Sequence, residues 1–71
     1  ICDWLVPTTD LLLDRGMMGD GVIDIPGIRG MVEAAGFTGL HEADIFSAGN
    51  WWSRSPRQAV DICKERHRTM C

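Results

Sequence analysis

Seventy-one residues with ten acids against seven bases, a formal net charge of −3 and three cysteines leave room for one small domain, which buries only about 60% of its unfolded surface. The acidic balance argues against a nucleic-acid partner held by phosphate neutralisation. No apolar run is long enough to span a membrane, and the N-terminus lacks the charged-then-apolar pattern of a signal peptide. An odd number of widely spaced cysteines predicts reduced thiols and a cytoplasmic protein. The chain opens at Ile1 without an initiator Met and offers few elements to close a core, which predicts a piece of a larger fold.

Ile1 to Val6 is apolar and β-favouring and is cut by Pro7, which cannot continue a ladder, so the spacing predicts a strand end over 1–6. Pro7 to Gly21 reads as a loop, because Gly16, Gly19 and Gly21 interrupt any helix growing from Leu11-Leu12-Leu13. The clearest helix is Pro26 to Ala35: proline suits its first position, Ile28, Met31, Val32 and Ala35 share a face, and Gly36 is placed as a left-handed stop. Gly30 costs that helix about 1 kcal/mol relative to Ala, unless it permits close packing. A strand follows from Leu40 to Phe46. The last helix begins at Ser55, which with Gln58 has the spacing of a capping box, and runs to Met70 with Ala59, Val60, Cys63, His67 and Met70 as its apolar stripe. Strand, loop, helix, strand, loop, helix predicts an α/β fold of two parallel (βα) units.

In a strand, side chains alternate, so Leu40, Glu42, Asp44 and Phe46 share one face and His41, Ala43 and Ile45 the other. Ligands of parallel α/β folds are met at the carboxyl ends of strands, which singles out the loops Pro7 to Gly21 and Ser47 to Arg54. Asp44 lies at such an end. A carboxylate there can hold a metal or a substrate hydroxyl, whereas Glu42, one layer deeper, needs a partner. His41, on the opposite face, is expected to face a helix or solvent.

Asp3-Trp4 at a strand end, the run Asp14-Arg15-Gly16-Met17-Met18-Gly19-Asp20-Gly21-Val22-Ile23-Asp24, and Gly36-Phe37-Thr38-Gly39 leading into Glu42-Ala43-Asp44-Ile45-Phe46 together resemble the C-terminal quarter of the sugar phosphate isomerase/epimerase family. These are the xylose-isomerase-like TIM barrels that also include endonuclease IV and the ketose 3-epimerases. The resemblance implies strands seven and eight of a (β/α)8 barrel. It also implies one or more divalent ions, Mn, Mg, Co or Zn, held by acids and histidines from several strands, with Asp44 at the position of the last acid, usually Glu. In the epimerases that acid also moves a proton, a role that would pass to Asp44. Asp3 fits the acid of a His-x-x-Asp pattern whose His would precede Ile1. Gly16 stands where the endonuclease branch carries a ligand His after Asp-Arg, which argues against a nuclease and leaves Arg15 to meet a sugar hydroxyl or anion, or to pair with Asp14 or Asp10. Trp51 and Trp52 are candidates to stack on a sugar ring or to cover the start of the last helix.

The expected function is therefore that of a metal-dependent isomerase or epimerase fragment that transfers a proton next to a carbonyl of a sugar, polyol or sugar acid, inactive by itself. A homo-oligomer is compatible with the full-length form. Two other readings remain open. In one, Cys63, His67 and Cys71, every four residues on one helix, join Cys2 around a structural zinc. In the other, the chain is a partner-binding α/β piece without catalysis.

Overall fold

The computed structural model describes residues 1–71. Two short acidic side chains turn the chain back on itself near its start. Asp10 accepts hydrogen bonds from the Leu12 and Leu13 N–H groups at 2.8 and 2.7 Å, and these bonds hold its carboxyl below its ordinary pKa. Asp14 accepts from the N–H and hydroxyl of Thr9 at 2.9 and 2.8 Å. This braced turn brings β1 (Asp3–Trp4) and β2 (Arg15–Gly16) together as an antiparallel pair, with Asp3 opposite Gly16 and Trp4 opposite Arg15.

The antiparallel pair corrects the expectation of two parallel (βα) units of a TIM barrel. Parallel pairing requires a crossover of a dozen or more residues, usually a helix, and only a turn-rich loop joins β1 to β2. Residues 40–46 form no strand. Their main-chain bonds are divided between two partners: Ile1 donates to the Glu42 carbonyl and accepts from the Asp44 N–H at 3.1 Å, while Phe46 accepts from the Arg15 N–H at 2.9 Å. The bonds at Ile1 follow the parallel pattern and those at residues 13–15 the antiparallel one, with Asp14 bridged to Ser47. Neither register runs far enough to make a ladder, and Leu40, at the start of the expected strand, is 96% exposed.

The two helices form close to where the sequence places them. Helix α1 (Ile25–Ala34) starts at Asp24, whose carboxylate accepts from the Gly27 N–H at 3.1 Å, and has Pro26 in its first turn. It ends in a Schellman arrangement: Gly36 has φ +101°, its N–H meets Glu33 O, and Phe37 N–H meets Val32 O at 3.2 Å. Helix α2 (Pro56–Thr69) is capped by the Ser55 hydroxyl, which accepts from the Gln58 N–H at 3.2 Å.

The core is small. Met17, Met18, Ile25 and Trp51 are buried, with Ile45, Ala59, Ile62, Cys63 and Cys71 packed around them. Half of it comes from the stretch expected to be only a loop. The α1 stripe of Ile28, Met31 and Val32 is exposed, as are sixteen large apolar side chains in all, against 7 buried residues of 71.

Candidate functional site

Residues 17–24 wrap around one carboxylate. Asp3, 1% exposed at the end of β1, accepts the Trp4 and Ile23 N–H groups on Oδ1 at 2.8 and 3.0 Å, and the Gly19 and Gly21 N–H groups on Oδ2 at 3.1 and 2.8 Å. Burial pushes its pKa up, but the four backbone donors outweigh burial and leave the carboxyl below its ordinary value. The glycines make this possible. A Cβ on Gly21 would sit 2.2 Å from Trp4 O and 2.6 Å from Asp3 Oδ1, and Gly19 has φ +92°. The loop is tied from the other side by Arg66 of α2, whose Nη1 donates to Met18 O at 2.9 Å and to Asp20 Oδ1 at 2.8 Å.

Asp44 is exposed on the segment stitched to Ile1 and to β2. Two residues on, the Phe46 ring lies 5.4 Å from that of Trp52, which is 57% exposed, so an open aromatic pair follows the carboxylate in the chain. Trp51, in the 3-10 turn Trp51–Ser53, is instead part of the core at 7% exposure, with the Arg54 guanidinium 4.3 Å above its ring. Arg15 pairs with neither Asp14 nor Asp10. Its guanidinium lies 4.8 Å over the Trp4 ring and donates through Nη2 to Leu11 O at 2.8 Å, while Nε is buried without a partner. The structure thus pairs the Phe46 and Trp52 rings, leaves Asp44 exposed two residues before Phe46, joins Arg15 to Phe46 through the main chain, and buries Trp51 in the core.

No three His, Cys, Asp or Glu side chains converge on a point that would hold a metal ion. Cys63 lies 3.7 Å from the Met17 sulfur, and burial raises its thiol pKa; burial likewise raises that of Cys71, more than Arg29 and the N-terminus lower it. A carboxylate such as Asp44 is the kind of ligand that hard, oxygen-seeking ions take.

Sequence reasoning passed over a polar ring that joins the helices. Arg29 Nε meets Glu33 at 2.9 Å, Glu33 faces His41 Nε2 at 3.9 Å, and His41 Nδ1 is 2.9 Å from His67 Nε2. Arg29 Nη1 closes the ring on the His67 carbonyl at 3.4 Å. Phe37 stacks on His41 with ring centroids 6.0 Å apart. The signal available was weak: His67 stood on the α2 stripe and His41 on the face opposite Asp44, but nothing in their spacing pairs them.

Fold and site together define a small α+β unit organised by a carboxylate-anchored glycine loop. No family model matches the chain, and no curated protein matches it. The structure is similar to the crystal structure of protein SMc04130 from Sinorhizobium meliloti 1021, with 62% sequence identity and a TM-score of 0.97. The match covers 100% of this chain and 26% of that one, so the chain spans about a quarter of its neighbour's length. No helix is long and apolar enough to cross a membrane.

Proposed function

We propose that this chain is part of a cytoplasmic, metal-dependent isomerase or epimerase acting on a sugar, polyol or sugar acid, and that it works within a longer polypeptide. The observation that carries the reading is an exposed carboxylate, Asp44, two residues before Phe46, whose ring pairs with the open ring of Trp52. Carbohydrates are held by such a combination, with aromatic faces against the C–H side of the ring and a carboxylate for hydroxyls or for a hard cation. The sixteen exposed apolar side chains, and a neighbour almost four times as long, support a setting in which further polypeptide covers this surface.

In this reading Asp44 contributes one oxygen ligand and takes up or delivers the proton next to the substrate carbonyl. A bound divalent ion would supply polarisation of that carbonyl. Trp52 orients the ring, and Arg15, anchored on Trp4, meets a hydroxyl or anionic substituent. Nucleic acid and membrane are not partners in this reading; self-association of the longer polypeptide is compatible with it.

The test is solvent deuterium incorporation next to the carbonyl of a panel of aldoses, ketoses and sugar acids, with Mn2+, Mg2+, Co2+ or Zn2+, by a longer polypeptide that carries this segment. Exchange by that polypeptide, none by the 71-residue chain alone, and a fall of about 10²–10⁴-fold in Asp44→Asn are expected for a lost acid/base group. Full exchange and full metal content in Asp44→Asn would overturn the proposal, as would the absence of exchange with every substrate.

A further inference from the structure

A cavity of about 540 Å³ opens beside the two histidines, and its lining is of one sign. His41 and His67 stand on its wall with Lys64 and Arg68 of α2, while Met18 and Ala43 form part of an apolar floor; no acidic side chain lines it. Lys64 and Arg68 are one helical turn apart, so their charges repel, and neither is in an ion pair: the salt bridges of the chain are Arg29–Glu33, His41–Glu33 and Arg66–Asp20. Both are exposed and unpaired beside a shared imidazole proton, in a chain of net charge −3, and repel one another weakly. An anion between them would relieve the repulsion.

The size and lining are those of a small-molecule site, which is mostly apolar with a few convergent polar groups. We propose that this cavity binds a small organic anion, an anionic head carried on an apolar body. Lys64 and Arg68 meet the head, Met18 and Ala43 accept the body, and the histidine pair completes the wall. At 2.9 Å the two ring nitrogens share one proton. Glu33 faces His41, Arg29 lies behind Glu33, and Ile1 also lines the cavity. Glu33 stays ionised because its hydrogen bond from Arg29, the largest influence on it, holds its pKa down.

The site differs from that of Asp44, Phe46 and Trp52, which line no part of it, so the two stand or fall separately. Phenyl phosphate, benzoate, inorganic phosphate and phenol are titrated calorimetrically into the longer polypeptide at pH 8. Phenyl phosphate and benzoate, as dianion and monoanion on one apolar body, show which head is preferred; inorganic phosphate and phenol each lack one half of the ligand and bind more weakly. Lys64→Ala and Arg68→Ala each weaken phenyl phosphate about tenfold, as loss of roughly 1.4 kcal/mol requires, and binding weakens with salt. Asp44→Asn binds as the parent does. Failure of every anion to bind, equal binding of phenol, or binding indifferent to Lys64→Ala and Arg68→Ala would overturn the proposal.

Discussion

Replacing Asp3 with Asn keeps the shape of the side chain and exchanges one carboxylate oxygen for an NH2 group. The Oδ1 position still accepts from Trp4 and Ile23, but Oδ2, which accepts from Gly19 and Gly21 at 3.1 and 2.8 Å, becomes a donor facing two donors. Hydrogen bonds to a charged group contribute about 1.5–3 kcal/mol each, so two lost bonds set an upper bound of about 6 kcal/mol; relaxation of the loop toward water offsets part of it, and a net loss of about 2–4 kcal/mol is expected. Against the about 4–10 kcal/mol that a folded unit of this size commands, that is a large share. The assay is urea unfolding followed by tryptophan fluorescence, since Trp51 lies in the core. The acid limb gives a second reading. The folded carboxyl titrates below its ordinary value of 3.8, so its stabilisation is present above the unfolded value and is lost as pH falls from there through the folded one. Asp3→Asn removes that part of the acid dependence. A variant within about 0.5 kcal/mol of the parent, the range of an ordinary surface substitution, with an unchanged acid limb, would refute the view that this carboxylate organises the loop.

Two backbone predictions follow from the glycines. Gly21→Ala puts a methyl group 2.2 Å from a backbone oxygen that cannot swing away, so the loop must leave Asp3; a loss of about 2–4 kcal/mol in the same unfolding assay is expected. Gly36→Ala meets no atom within 4 Å and is strained only by its φ of +101°, which limits the cost to about 1–2 kcal/mol with little change in helix content by far-UV circular dichroism.

What the sequence shows plainly is what short-range chemistry decides. The limits of α1 and α2 can be read because Pro26, Gly36, Ser55 and Pro56 act on neighbouring backbone. The expected parallel strands are another matter. Alternation in Leu40 to Phe46 is the same whichever chain pairs with it, and here the partner changes from Ile1 to β2 within a few residues. The helix stripes were expected to mark a core, but α1 leaves Ile28, Met31 and Val32 exposed, while Met17 and Met18 are buried from a stretch whose glycines suggested only a loop. Asp3 was noted for a metal-site pattern; the structure uses it to gather four amide donors from up to twenty residues away. A run containing Gly16, Gly19 and Gly21 leaves many N–H groups without regular partners, and a nearby buried acid is one way to satisfy them. At the candidate site, Asp44 and Trp52 were legible as exposed polar and aromatic groups, whereas Trp51 was inseparable from its neighbour until the 3-10 turn sent one ring inward.

Because the Asp3 carboxylate fastens one side of the 17–24 loop and the Arg66 guanidinium the other, the end of β1 and the second half of α2 are coupled like two arms of a lever. Residues 17–24 thus have one anchor on the strand and one on the helix.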